Sequence, residues 1–245
     1  MTFAGKSVLV TGGSRGIGRE IALRFADLGA ARVAIGYLRN DRAAEATAAD
    51  LRALGAEVVL VRGNVSSTRV AGEVAALGRL DVLVHNAATG VARPLLEAKD
   101  KHWDWTLNGN ARSLLGLVRA AVPSMPPGSA IVALSSLGSV RVLEDYALVG
   151  VSKAALEALV RYLAVELAPR AIRVNAVSAG LVETGALEHF PRREQMLAHA
   201  RSRTPAGRMV EAADVAGAVA FLCSPAAEMV LGHTLVVDGG FSLLA

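Results

Sequence analysis

Thr11-Gly12-Gly13-Ser14-Arg15-Gly16-Ile17-Gly18 stands directly after the apolar run Ser7 to Val10 and opens into a helical pattern. Glycines at such a junction let the backbone turn tightly and approach a pyrophosphate, whose charge then sits at the N-terminus of the following helix. A glycine pattern alone is weak evidence. Strand before and helix after supply the context that a dinucleotide site requires. Gly12, Ser14, Arg15, Gly16, Ile17 and Gly18 are therefore the expected cofactor-binding residues of this loop.

Outward from the loop, short β-rich runs recur at Ser7 to Val10, Arg32 to Ile35, Val58 to Val61, Asp81 to His85, Ala130 to Ser135, Arg173 to Val177 and Thr234 to Val237. Between them, apolar residues return at three- and four-residue intervals over Gly16 to Leu28, Arg42 to Leu54, Asn110 to Val122, Ser152 to Leu167 and Ala212 to Leu222. Strand and helix in alternation imply parallel pairing through right-handed crossovers. The expectation is an α/β protein with one doubly wound parallel sheet, a Rossmann fold with helices on both faces, forming a single domain over residues 1–245. Gly180 to Pro205 is the longest stretch with weak sheet signals and is the candidate lid, because long irregular segments in compact domains are usually functional.

The end of the second β-run bears on cofactor choice. An acidic residue there would accept from an adenosine ribose 2′-hydroxyl, but Gly36 and Tyr37 offer no carboxylate and Arg39 follows closely. Arg39 together with Arg15 could grip a 2′-phosphate, so NADPH is expected over NADH.

A second constellation lies further along, where Tyr146 precedes Lys153 by seven positions in Tyr146-Ala147-Leu148-Val149-Gly150-Val151-Ser152-Lys153. A tyrosine and a lysine near a nicotinamide make a proton donor and its electrostatic helper. In the commonest arrangement the tyrosine lies four positions before the lysine; here that place holds Val149, which cannot donate a proton. On a helix, separations of four and seven return to nearly the same face, about 40° and 20° off register, with the longer one about 4.5 Å further along the axis. Extended chain before the helix would enlarge that displacement. Such a shift suits a substrate whose polarised oxygen is not on the carbon that receives hydride. An enoyl thioester is one: hydride goes to the β-carbon while charge collects on the thioester oxygen.

Composition narrows the remaining classes. The hydrophobic fraction is 53%, yet no apolar run reaches the roughly 18 residues of a membrane span. The first strand pattern begins almost at once, without a cleavable signal region, which predicts a cytoplasmic protein. Cys223 is the only cysteine, so intrachain disulfides and thiolate metal clusters are excluded, and no metal site is expected. The net charge of +4 is carried mostly by arginine. Nucleic-acid binding is not expected, because aromatics are few and do not alternate with arginine runs.

Taken in order, these motifs resemble the short-chain dehydrogenases/reductases over essentially the whole chain. The matching stretches are Thr11 to Gly18, Asn64-Val65, Asn86-Ala87-Ala88, Asn110, Ser135-Ser136 and Val236-Val237-Asp238-Gly239-Gly240. Within that family, Leu134 to Glu166 looks most like NADPH-dependent enoyl-acyl-carrier-protein reductase type III, whose tyrosine precedes its lysine by seven. His102-Trp103-Asp104-Trp105-Thr106 and Thr204 to Glu211 also look like that subgroup.

The resemblance implies that Tyr146 donates to the thioester oxygen and that Lys153 holds the nicotinamide ribose and favours charge on Tyr146. It places Asn64, with Val65, at the adenine, Asn86 at the nicotinamide-side ribose and Thr184 at the nicotinamide amide or pyrophosphate. Ser136 falls at the family's catalytic serine position and is expected to line the substrate pocket. The resemblance further implies a homotetramer, through the helices Asn110 to Val122 and Ser152 to Leu167, and an acyl substrate carried on acyl carrier protein.

Several features depart from the family pattern or stay open. Ala88 replaces the usual glycine, and His85 stands where asparagine is common; it reads as a polar strand-end residue. Few residues separate Asn64 from Asp81, so a clipped helix is expected there. Trp103 and Trp105 read as core or interface anchors. Asn110 either holds a water, bulges its helix or is a satisfied buried asparagine. In the candidate lid, Arg192, Arg193, Arg201 and Arg203 stand beside Leu187, Phe190, Met196 and Leu197, so that one face could cover an acyl chain and the other meet an acidic carrier. Three functions are compatible with the sequence: an enoyl-thioester reductase, a 3-oxoacyl or other carbonyl reductase adapted to a displaced tyrosine, and a catalytically silent NADPH-binding scaffold.

Overall fold

The computed structural model describes residues 1–185 and 192–244. Its seven strands are β1 (Ser7–Val10), β2 (Arg32–Tyr37), β3 (Glu57–Arg62), β4 (Val82–His85), β5 (Ala130–Ser136), β6 (Arg173–Ala179) and β7 (Thr234–Val237). They form one parallel sheet in the order β3-β2-β1-β4-β5-β6-β7. All seven overlap the β-rich runs of the sequence to within two residues; the inner strands, buried on both faces, read as continuous apolar segments, while the edge strands β3 and β7 are only partly buried. The order reverses between β1 and β4, and a crevice opens beyond the carboxyl ends of strands at such a point.

The eight α-helices are α1 (Gly16–Asp27), α2 (Asp41–Ala53), α3 (Thr68–Ala75), α4 (Asp100–Leu107), α5 (Ser113–Ala121), α6 (Ala147–Leu167), α7 (Arg193–Arg203) and α8 (Ala212–Cys223). Alternation along each strand divides the interior in two. Val8, Val10, Val33 and Ile35 pack beneath α1 and α8, against Ile21, Phe25, Val215 and Val219. Leu9, Leu83 and Ile131 face the other way, toward Leu114 and Leu117 of α5 and Leu156 and Val160 of α6. Each such Leu or Ile, withdrawn fully from water, contributes about 1.5–3 kcal/mol. Helices thus cover both faces.

Two helix starts read from the sequence are corrected. The helix expected over Ser152 to Leu167 begins five residues earlier, at Ala147. Its first turn is apolar and Tyr146, its N-cap, makes no side-chain capping bond, so no capping residue marks the start. The helix expected from Asn110 instead has a π-turn over Asn108–Arg112, followed by α5. Trp103 and Trp105 are about half exposed on α4 and are not core residues. Part of the candidate lid is the helix α7; Leu187 and Phe190 lie outside the described residues. The clipped helix is α3, eight residues long and capped by Ser67, whose hydroxyl accepts from Val70 N–H at 3.2 Å.

At the C-terminus of α8, Cys223 is buried, and burial pushes its thiol up to about 12. Arg173 of β6 clamps the adjoining turn by donating to the carbonyls of Leu222, Ser224 and Ala227. No helix among the described residues is long and apolar enough to cross a membrane.

Candidate active site

The glycine loop sits at the switch point and is held by β4. Thr11 N–H donates to Val84 O at 3.0 Å, and Thr11 Oγ1 accepts from the N–H groups of Asn86 and Ala87, each at 3.0 Å. The Asn86 amide donates to Thr11 O at 2.9 Å and Gly12 O at 3.2 Å. Two glycines are fixed by this packing. A Cβ on Gly18 would lie 2.2 Å from Gly12 O, and one on Gly13 would lie 2.8 Å from Ile35 Cγ2. Gly12 and Gly16 turn the chain at φ +66° and +54°. Ser14 is buried and its carbonyl accepts from Thr47 Oγ1 at 3.1 Å, while Ile17 packs on the core below.

What this leaves open suits an anionic dinucleotide. The N-cap of α1 is Arg15, which makes no side-chain capping bond, so the first-turn N–H groups are left for an anion. Gly13 N–H donates to Gly36 O at 3.0 Å, tying the loop that bears Arg15 to the end of β2 that leads to Arg39. Arg15 and Arg39 are exposed, and neither forms an ion pair among the described residues. Thr184 lies beside the loop, its Cγ2 3.4 Å from where a Cβ on Gly16 would be. Asn64 lies at the start of the turn before α3; its Oδ1 accepts from Ser66 N–H at 2.9 Å, and Val65 packs against the second core.

The catalytic candidates meet at the carboxyl end of β5. The Tyr146 hydroxyl donates to Ser136 Oγ at 3.2 Å. The tyrosine ring lies against Gly138, where a Cβ would come within 2.5 Å of Cδ1, so only glycine fits beneath it. Burial raises the phenol above its usual range, against the lowering effect of Ser136, and Tyr146 therefore keeps its proton at neutral pH. Asp145, just before it, adopts a left-handed φ of 55°, and its carbonyl accepts from Arg93 N–H at 3.0 Å.

Lys153 is 4% exposed and donates to Leu134 O at 2.7 Å. Burial lowers its pKa to about 8, while the nearby Glu157 carboxylate acts to raise it. Val149, in the commoner tyrosine position, is buried with its Cγ2 only 2.3 Å from where a Cβ on Gly90 would stand. That position is a packed apolar wall, and the hydroxyl sits one turn away at the helix N-cap.

Asn110 takes the bulge among its three alternatives, and two residues that the sequence reading left aside, Ser152 and Glu157, complete the surroundings. Asn110 bulges its helix: it lies within the π-turn, accepts from Thr89 N–H and donates to Thr89 O and Ser152 Oγ, all at 2.8 Å. Ser152 in turn donates to Val149 O at 2.7 Å. Glu157 is buried and accepts from Ser135 Oγ. The signal for the π-turn in the sequence is Asn108-Gly109-Asn110, three poor helix formers in an otherwise helical stretch.

The side-chain amide of Asn86 is spent on the carbonyls of the glycine loop. The lid arginines are also less available than expected. Arg192 forms a two-armed pair with Glu144, Arg193 pairs with Glu183 and Glu194, and Arg201 pairs with Glu183. Among the described residues no cluster of His, Cys, Asp and Glu could hold a metal ion.

Residues 12–242 match a family described as Enoyl-(Acyl carrier protein) reductase. The chain is 40% identical over 244 residues to 1-cyclohexenylcarbonyl-CoA reductase of Streptomyces collinus, covering 97% of this chain and 87% of that protein. It is 34% identical over 244 residues to a 3-oxoacyl-acyl-carrier-protein reductase of Staphylococcus aureus, covering 96% and 97%. Among solved structures, a short chain dehydrogenase from Burkholderia cenocepacia in complex with NADP superposes with a TM-score of 0.91 at 35% identity, covering 99% of this chain and all of that one.

Proposed function

The chain belongs to the short-chain dehydrogenase/reductase family, an oxidoreductase, and from that premise we propose that it is an NADPH-dependent reductase of trans-2-enoyl thioesters. One observation carries the reading: the only tyrosine hydroxyl paired with Ser136 among the described residues comes from Tyr146, while Val149 fills the position from which a tyrosine would reach an oxygen borne by the carbon receiving hydride.

The uncapped α1 N-terminus and the unpaired Arg15 and Arg39 fit the diphosphate and 2′-phosphate of NADPH. When bound, that cofactor supplies the hydride. The chain's own residues handle the charge that appears on the substrate. Tyr146, neutral at physiological pH, donates a hydrogen bond or its proton to the thioester oxygen, and Ser136 Oγ orients its hydroxyl. Lys153 in its protonated form favours negative charge at Tyr146 and is placed to hold the nicotinamide ribose. Part of the 180–205 segment covers the acyl group and excludes water.

The proposal extends to the carrier, the assembly and the compartment. Ion pairing of Arg192, Arg193 and Arg201 removes most of the bare charge that would draw an acidic carrier protein to the lid, so coenzyme A thioesters are the substrates to try first. Val151, Tyr162 and Val165 are exposed at helical spacing on α6, and Trp103 and Trp105 are exposed on α4, apolar surface suited to a homotetramer in the cytoplasm. Light scattering should give about four times the 25.3 kDa chain mass; a monomer refutes the assembly.

The decisive test offers the purified protein NADPH with crotonyl and acetoacetyl thioesters side by side, each on coenzyme A and on acyl carrier protein. Faster turnover of the crotonyl form is expected. Faster turnover of the acetoacetyl form makes the chain a 3-oxoacyl reductase, the activity carried in the name of the Staphylococcus aureus relative.

A further inference from the structure

His85 is the last residue of β4 and is completely buried. Consecutive strand residues point to opposite faces, so the His85-Asn86 pair divides its labour. Asn86 turns to the glycine loop, and His85 turns to the helices on the other face, where its Nε2 lies 2.7 Å from Ser113 Oγ. The Ser113 hydroxyl spends its single proton on Gly109 O at 2.7 Å. Its oxygen must therefore accept from His85, which fixes the imidazole as the Nε2–H tautomer. Burial drives the imidazole pKa down to about 3, with the Lys153 charge acting in the same direction, so the ring is a neutral donor throughout the working pH range.

The chain His85 to Ser113 to Gly109 ends in the π-turn. Ser113 N–H reaches back five residues to Asn108 O, the mark of the widened turn, and Ser113 Oγ bonds the next carbonyl, that of Gly109. Gly109 is pressed against Thr89, whose Cγ2 would lie 2.5 Å from an added Cβ. The following residue is Asn110, which grips both backbone groups of Thr89 and the hydroxyl of Ser152, next to Lys153.

We propose that His85 is a positioning residue: through Ser113 it holds the π-turn in the one register that keeps Asn110 between Thr89 and Ser152, and so sets the spacing between the loop after β4 and the helix carrying Tyr146 and Lys153. The hydrogen-bonded line from strand end to catalytic helix crosses the sheet's C-terminal edge without touching the cofactor loop. Loss of His85 should accordingly affect turnover and spare cofactor affinity.

The turnover part of the test rests on the reductase reading only in needing a substrate, so it uses whichever thioester the wild-type protein reduces fastest. A second readout needs no substrate: amide hydrogen exchange at Thr89, whose N–H is held by Asn110. His85→Phe and Ser113→Ala are each expected to lower kcat about tenfold, to leave the KM for NADPH within about twofold, and to speed Thr89 exchange about tenfold. Their combination should lose no more than either alone, since both break one line. His85→Gln and Ser113→Thr, which keep a donor and a hydroxyl in place, should restore most of the turnover. If His85→Phe does not fold, the Ser113→Ala and Ser113→Thr comparison carries the test. Unchanged kcat and Thr89 exchange in Ser113→Ala, or losses that multiply in the double variant, overturn the proposal.

Discussion

Residues 11–18 and residues 136–146 both leave the carboxyl edge of the sheet, the first after β1 and the second after β5, yet they are built from different materials. The first is fixed by backbone: Thr11 and Gly12 carbonyls held by Asn86, Gly13 bonded to Gly36, and glycines that admit no Cβ. The second is shaped around one side chain, the Tyr146 ring lying on Gly138, and it exposes Val140, Val142 and Leu143 toward solvent. A backbone-built loop can bind what every member of such a fold binds. A side-chain-built loop can change its chemistry by moving one residue, and here the hydroxyl has moved to the N-cap of α6. Binding and chemistry should therefore respond separately to mutation.

The largest effect is expected at the second loop. Tyr146→Phe should lower kcat by about 100-fold or more with little change in NADPH affinity, measured by steady-state kinetics and cofactor titration. Turnover near normal would transfer the proton donor to another group and dissolve the contrast. Next come the cations beside the first loop. Replacing Arg15 and Arg39 together by alanine should raise the KM for NADPH about 30-fold while changing that for NADH less than about threefold. Equal losses would make both arginines structural.

A matched pair of glycine substitutions sharpens the comparison directly. Gly18→Ala forces a Cβ onto Gly12 O, and should weaken NADPH about tenfold with kcat at saturation largely kept. Gly138→Ala pushes only the Tyr146 ring, and should lower kcat about tenfold with NADPH affinity intact. Identical responses would show one coupled site.

The smallest effect is a pH dependence of a few-fold. Because Lys153 has its pKa lowered to about 8, turnover should fall as pH rises through about 8 and the helper charge is lost. The same group acts oppositely on stability. Between about 8 and its ordinary 10.5 the unfolded chain holds the proton that the folded chain has given up, so this residue's contribution to stability rises with pH over that window. A falling rate with no matching fall in Tm would identify titration of the site; a parallel fall would point to unfolding.

The same contrast explains what the sequence made legible. Ser7–Val10 could be read to the residue because a buried parallel strand is a short apolar run bounded by polar or glycine turns, and Thr234–Val237, a half-exposed edge strand, because its β-branched run stops at Asp238-Gly239-Gly240. The glycine loop was legible for a related reason: its function needs the absence of side chains, and absence shows in a sequence. The start of α6 was not, since Ala147 to Val151 is apolar on every side and Tyr146 caps it without a capping bond. The π-turn showed only as one of three alternatives for Asn110. The tertiary bonds that accompany it, from His85, Thr89 and Ser152, lie far from Asn110 along the chain. Trp103 and Trp105 left core and interface open in the sequence because aromatic residues suit both; their exposure leaves the interface.

Cys223, set at the end of α8 and overlain by the Arg173 clamp, is a built-in clock. As the single thiol of the chain, held protonated by burial, it is shielded from alkylating reagents until the turn around it opens. The pace at which a reagent consumes it under native conditions counts those openings, free of any background from other cysteines. Where the opening that exposes the sulfur also dismantles the cofactor site, NADPH slows that count by the factor 1 + [L]/Kd, and where the opening is confined to the turn it does not, so the one thiol separates local from global opening without any substrate.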